Sequence, residues 1–207
     1  MKKDIRLDKK IKSFTTNIIA GKYKGKKIEI PDISTTRSSK SILKESFFNT
    51  VQFEIMDKNF VEVFAGSGSI GLEALSRGAA RCYFMEQNKI AFRFLEANIK
   101  AIAPNDAQAI YGDSFENFKT VYKLIKKQGV KTYFYFDPPF AIRDGMDDIY
   151  DKTLKLIEMI EPEICQMVAV EHMTGLELPQ NIGNLEKSKS KKFGKSTMSY
   201  YLPKEEF

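Results

Sequence analysis

Val61-Glu62-Val63-Phe64-Ala65-Gly66-Ser67-Gly68-Ser69-Ile70-Gly71-Leu72-Glu73 is an apolar run that meets three glycines and then a helix-forming segment. Strand, glycine turn and helix in that order open a doubly wound sheet, where glycines let the backbone approach a ligand at the carboxyl edge. The spacing Gly66-x-Gly68-x-x-Gly71 fits a dinucleotide as well as several other ligands, so its meaning depends on what surrounds it.

Downstream of residue 60, short apolar runs alternate with amphipathic segments, the pattern of βαβ units in a parallel sheet. The runs 60–64, 82–85, 133–136 and 167–170 lack polar alternation, as strands covered on both faces do. Helices are predicted over 69–77, 89–101, 114–127 and 147–160; the first closes at Gly78, and the third repeats Phe115, Phe118, Tyr122 and Ile125 at helical spacing. Two regions break the rhythm. Residues 17–30 carry two glycine-centred turns among β-formers and predict a hairpin, and residues 185–202 predict a closing antiparallel pair around Phe193-Gly194-Lys195. The fold class is α/β.

A chain of 207 residues supports one main core with an appendage. We divide it into a basic N-terminal extension, 1–50, and a sheet domain, 51–207. Hydrophobic residues make up 43% and charged residues 29%, a globular composition, and no apolar run reaches the roughly 18 residues of a membrane span. The N-terminus lacks the apolar core of a secretory signal, and Cys82 and Cys165 both sit in apolar runs, so a cytoplasmic protein with buried thiols is expected. A single histidine, His172, excludes a multi-histidine metal site, and no metal is expected. Residues 1–50 hold 13 basic residues against 5 acidic ones, a net of +8, which leaves the other 157 residues at −2. Lys22, Lys24, Lys26, Lys27 and Arg37 are therefore expected to neutralise phosphates beside the functional edge, helped by the late run around Lys192 and Lys195.

Glu86 stands some 20 residues beyond Gly66, at the end of the second strand of the sheet domain. A carboxylate there can accept from both hydroxyls of a ribose, which points to a nucleoside ligand. Asp137-Pro138-Pro139-Phe140 follows the strand 133–136 onto the same edge. The Asp137 carboxylate and the Pro138 carbonyl can together accept both hydrogens of a planar amine, and Phe140 offers a face for a base. That arrangement favours a methyl donor, S-adenosylmethionine, over a dinucleotide; an NAD-linked oxidoreductase explains the glycines and Glu86 but leaves Asp137 to Phe140 without a role.

FAGSGSIGLEALSRGA (64–79) and YFDPPF (135–140) together resemble class I S-adenosylmethionine-dependent methyltransferases of exocyclic amines. The likeness runs from about Asn17 to Leu202 and is closest to the bacterial family that methylates the exocyclic amine of a guanine in 16S ribosomal RNA. Residues 18–28, Arg37, the segment from Lys44 to Asn49, Tyr111-Gly112-Asp113-Ser114 and Lys192-Phe193-Gly194-Lys195 extend it.

The resemblance implies a Rossmann-like fold with a mostly parallel seven-stranded sheet, a C-terminal antiparallel strand pair and an N-terminal hairpin. It further implies that Glu62, Phe64, Gly66, Ser67, Gly68, Gly71, Glu86, Asp113 and Ser114 surround the cofactor. Asp137, Pro138, Pro139 and Phe140 are the implied catalytic group, and Lys44 joins the lysines above and Arg37 on RNA. The implied partner is ribosomal RNA or the small ribosomal subunit, and the implied state a monomer. The family usually has Asp where Glu62 stands and often reads Arg-Pro-Thr where this chain has Arg37-Ser38-Ser39. Adenine in DNA or RNA is the alternative acceptor, because the same catalytic motif serves both bases.

Overall fold

The computed structural model describes residues 11–33, 38–139 and 148–204. Along the chain run β1 (Ser13–Asn17), β2 (Lys27–Pro31), α1 (Ser38–Val51), β3 (Asn59–Glu62), α2 (Ser69–Ser76), β4 (Arg81–Glu86), α3 (Lys89–Ile102) and β5 (Ala107–Tyr111). They continue as α4 (Ser114–Gln128), β6 (Thr132–Phe136), α5 (Ile149–Glu158), β7 (Cys165–Met173), β8 (Asn181–Ile182), β9 (Leu185–Phe193) and β10 (Ser196–Pro203). The four unalternating apolar runs form β3, β4, β6 and β7, which are buried along nearly their whole length.

The main sheet has the order β5-β4-β3-β6-β7-β10-β9-β8. From β5 to β7 neighbouring strands are parallel, and β10, β9 and β8 add antiparallel. Seven strands match the expected sheet, and the two-residue β8 adds an eighth at the edge. The chain runs outward from β3 to β5, then returns to place β6 against the other side of β3. That reversal opens a crevice between β3 and β6 at their carboxyl ends, the point where open α/β sheets take ligands.

Two apolar layers cover the sheet. On one face Leu72, Leu75 and Leu95 of α2 and α3 pack with Phe60, Phe84 and Tyr135, and the N-terminal segment joins them through Ile18, Ile28, Leu43, Phe47 and Phe48. On the other face Phe118, Tyr122 and Ile125 of α4 and Ile157 of α5 cover Val61, Phe134 and Val168. The described part of the extension, 11–33 and 38–50, is thus packed into the same core. Its helix α1 places Leu43, Phe47 and Val51 at spacings of four, and Phe47 meets Tyr135 edge-on at 5.2 Å.

The N-terminal hairpin pairs Ser13 with Pro31 and Asn17 with Lys27, so its strands begin earlier than residue 17 and the two glycine turns lie in the connection between them. Each crossover helix runs antiparallel to the strand it follows, so the C-terminal ends of α2 and α3 lie at the amino edge of the sheet. The connection docks there: Lys22 N donates to the carbonyl of Ser76, the last residue of α2, and Lys26 Nζ to that of Ala101 near the end of α3.

Candidate active site

The loop after β3 is held from three sides. Buried Glu62 accepts from Gly71 N at 2.9 Å, Glu86 Oε2 accepts from Gly66 N at 2.7 Å, and Asn98 of α3 donates to the Ser67 carbonyl at 3.0 Å. Asn98 also exchanges two hydrogen bonds with the backbone of Glu29 in β2, so one buried amide joins the hairpin to the loop. It lies on the buried face of α3, where a polar residue among Phe94, Leu95 and Ile99 is the signal that could have singled it out.

The three glycines do different work. A Cβ on Gly71 would meet Cys82 Sγ and the Phe84 ring at 2.4 Å, and one on Gly68 would meet Leu95 Cδ1 at 2.5 Å. Both are small so that α2 can lie on the sheet. Gly66, at φ +54°, would meet nothing within 4 Å, so it alone faces open space at the crevice. The bare backbone there, rimmed by the Glu86 carboxylate, fits a cofactor bearing a ribose and a small polar chain. Glu62 is only 4% exposed beneath the loop and accepts from Gly71 N at the start of α2.

Glu86 takes one backbone N–H on each oxygen, from Gly66 and from Asn88 at 2.6 Å. A carboxylate has about four acceptor positions, so a diol can still bind. Asn88 caps α3 through Ile90 N and Ala91 N, and Asp113 caps α4 with Oδ1 alone, accepting from Phe115 N and Glu116 N. The cap uses one oxygen of the Asp113 carboxylate. Ser114 is buried beside it, and Phe64 packs edge-on against Phe115 at 5.5 Å, walling that end of the crevice.

Asp137, Pro138 and Pro139 leave the carboxyl end of β6 on the opposite side of the crevice from the glycine loop. Phe140 lies outside the described residues. Phe136 pairs with Val170, so Asp137 comes level with Glu171 at the end of β7, a carboxylate that is 3% exposed and that the sequence reading missed. Tyr135 is wholly buried; burial first, then the charges of Glu171, Asp137 and Glu62, push its hydroxyl well above its usual pKa. Tyr150 of α5 is pushed up to about 12, mainly by burial, with Asp137 and Glu171 adding. Among the described residues this side of the crevice thus carries two carboxylates, groups that accept from N–H donors.

Residues 16–202 match the protein family described as Conserved hypothetical protein 95. The chain belongs to this family. It is also 32% identical over 168 residues to Ribosomal RNA small subunit methyltransferase D of Haemophilus influenzae, an alignment covering 79% of this chain and 83% of that relative. Among solved structures, yhhF from Escherichia coli superposes with a TM-score of 0.74 at 23% identity, covering 93% of this chain and all of the other. An RNA methyltransferase from Salinibacter ruber, solved with S-adenosyl-L-homocysteine, superposes at 0.52 with 14% identity, covering 84% and 97%. The fold is that of the S-adenosylmethionine-dependent methyltransferases.

The basic residues divide by location. Lys22, Lys24, Lys26 and Lys27 are exposed, but the docked connection places Lys22, Lys24 and Lys26 at the amino edge, and Lys27 opens β2 beside them. They do not stand beside Asp137, which corrects the expectation drawn from the charge count. Lys44 is 4% exposed; its Nζ donates to the Asn17 carbonyl and stands 3.7 Å from Glu73, so it balances a buried acid and cannot reach a phosphate. Burial pushes its pKa down and Glu73 opposes that. Lys192 and Lys195 flank the β9–β10 turn, level with the end of β7, and are exposed at the carboxyl edge of the sheet. Arg37 lies outside the described residues. Cys82 and Cys165 open β4 and β7 at the far edge, and burial pushes both thiols up, Cys165 to about 12, so neither is placed or ionised to act as a nucleophile. Among the described residues no cluster of His, Cys, Asp or Glu could hold a metal ion, and no helix is long and apolar enough to cross a membrane.

Proposed function

We propose that the protein methylates the exocyclic 2-amino group of a guanine in 16S ribosomal RNA. The observation that carries this reading is the meeting of two groups across the β3/β6 crevice: the open backbone at Gly66 with Glu86, and Asp137 with Pro138. S-adenosylmethionine supplies a methyl group on a sulfonium, ready for in-line displacement by nitrogen. Glu86 holds the ribose and Asp113 the adenine amino group, which fixes where the donor lies.

Asp137 and the Pro138 carbonyl then accept the two hydrogens of the target amine. Those bonds draw the nitrogen toward tetrahedral geometry and localise a lone pair otherwise delocalised into the base, while the prolines keep the acceptors rigid. The ammonium that forms after transfer must lose a proton, and Asp137 is within its hydrogen-bonding shell. A paired base cannot reach this crevice, so the target nucleotide is unstacked or in a loop. The name of the Haemophilus influenzae relative supports a small-subunit substrate, and the family resemblance supports guanine.

The test is transfer of a labelled methyl group to 16S ribosomal RNA from cells lacking this gene, followed by nucleoside analysis. N2-methylguanosine is the expected product. Label in methyladenosine would move the acceptor to adenine, and no transfer to either naked RNA or 30S subunits would refute the reading.

A further inference from the structure

A second concavity, of about 380 Å³, lies on the α5 face of the sheet beyond β7. Three strands build it in register: His172 of β7 pairs with Thr197 of β10, which pairs with Lys192 of β9, and Ser199 pairs with Ser190 in the next row. Lys187 closes the lower end and Glu177 lies on the rim. His172 and Ser199 are 3% and 1% exposed, whereas Ser190, Lys192 and Glu177 are open to solvent. Because Asp137 is level with Glu171, the groove begins one residue from the catalytic edge, on the side away from the cofactor loop.

Hydrogen bonds join the groove to a buried imidazole. His172 Nδ1 is 3.2 Å from the Met173 carbonyl, Nε2 is 2.8 Å from Ser199 Oγ, and Ser199 Oγ is 2.8 Å from Ser190 Oγ. A carbonyl only accepts, so Nδ1 carries the hydrogen of the neutral ring. Nε2 then accepts from Ser199, and Ser199 accepts from Ser190. In that state the Ser190 hydrogen points inward.

We propose that this groove is a phosphate subsite for the RNA chain, in which Ser190 Oγ donates to a non-bridging oxygen of a phosphodiester and Lys187 and Lys192 neutralise it. The inference rests on the RNA-directed reading above. A strand that delivers one base to Asp137 crosses this edge, and a hydroxyl with two ammonium groups is a phosphate-binding set. Among the described lining residues Glu177 is the one acid, against Lys187 and Lys192, and Lys187 Nζ also donates to the Leu178 carbonyl at 2.5 Å.

For Ser190 to donate outward while keeping its bond to Ser199, both hydroxyls must reverse and Nε2 must become a donor. His172 then holds a second proton, so phosphate binding and proton uptake are linked. Burial pushes the His172 pKa down, and Lys187 pushes the same way against the Met173 carbonyl. Tyr150 of α5, whose hydroxyl accepts from Met173 N, is the nearest titratable group on that side and stays neutral through the histidine range.

His172 is the only histidine of the chain, so its ring resonances can be followed without ambiguity in untagged protein. With a single-stranded RNA oligonucleotide its pKa should rise by about one unit, which corresponds to about tenfold tighter binding by the protonated form. Inorganic phosphate should move it the same way at higher concentration. Ser190→Ala should abolish the response, and Ser190→Thr should restore it. RNA that binds without moving the His172 titration overturns the proposal, as does an unaltered response in Ser190→Ala. A response to phosphate alone would make the groove a free-phosphate site and overturn the RNA assignment. Methylation of ribosomal RNA by the wild type, scored separately, shows whether a negative result belongs to the groove or to the parent reading; without RNA binding or methylation both fall.

Discussion

Replacing Gly66 and Gly71 by alanine, one at a time, separates ligand-facing from packing glycines in a loop where the sequence treats them alike. At Gly71 the new Cβ would lie 2.4 Å from Cys82 Sγ and from the Phe84 ring, both fully buried in strand β4. Neither neighbour can move without disturbing the sheet, so the cost should reach the upper end of overpacking, about 3 kcal/mol. For a chain of this size that lowers Tm by about 6–12 °C. At Gly66 the Cβ meets nothing, and the only penalty is the left-handed backbone, about 1 kcal/mol or about 2–4 °C. The open space above Gly66 is where the donor must lie, so Gly66→Ala should weaken S-adenosylhomocysteine binding at least about tenfold, equivalent to about 1.4 kcal/mol. Thermal melting and titration calorimetry on both variants read the two quantities independently. A Gly66→Ala protein with unchanged ligand affinity would refute the placement of the cofactor, and a Gly71→Ala protein with wild-type Tm would refute the packing account.

Asp137→Ala should slow methyl transfer by about a hundredfold, roughly 3 kcal/mol, while S-adenosylhomocysteine binding in calorimetry stays near wild type, because the carboxylate faces the acceptor amine. Glu86→Ala should weaken that binding by about 1–3 kcal/mol through lost ribose hydrogen bonds, and unaltered affinity would remove Glu86 from the site. Lys192→Ala with Lys195→Ala should flatten the slope of log RNA affinity against log salt by about 1.4–1.8 units. The triple replacement of Lys24, Lys26 and Lys27, at the far edge, should leave that slope in place; the reverse pattern in filter-binding titrations would put the RNA on the hairpin.

The parallel core was legible because strands covered on both faces must be continuously apolar, as 60–64 and 133–136 are. β5 escaped notice because it is an edge strand with a half-exposed AQAIY sequence, and edge burial leaves no apolar run. α1 escaped because its sequence mixes serine, lysine and glutamate without a sharp period, although Leu43, Phe47 and Val51 mark its inner face. The positions of Glu86, Asp137 and the glycines at the ends of elements were readable from local order alone. Where the lysines sit was not. Their count is a property of composition, but their edge is decided by hydrogen bonds to Ser76 and Ala101, more than 50 residues away in sequence. Glu171 was invisible for a related reason, since it has meaning only through a neighbour from another element, and Asn98 showed only as a polar residue on the apolar face of α3.

Those remote contacts explain why a basic extension should be fused to a methyltransferase core by buried charge. Glu73, fully buried in α2, accepts from Ile19 N at 2.8 Å, Ala20 N at 3.0 Å and Arg77 Nε at 2.8 Å, with Lys44 close by. An isolated buried carboxylate is far too costly to keep, and the N-terminal segment supplies two of the donors and one of the cations that make it tolerable. Asn98 repeats the arrangement one helix away, satisfying Glu29 of β2 and the Ser67 carbonyl of the cofactor loop with one side chain. Removing the hairpin would leave polar groups on both α2 and α3 unpaired, at about 1–3 kcal/mol for each neutral group. The helix that starts at the glycine loop and the helix that buttresses it are therefore both anchored by the N-terminal segment. In this fold the hairpin helps to hold the glycine loop in shape through Glu73 and Asn98.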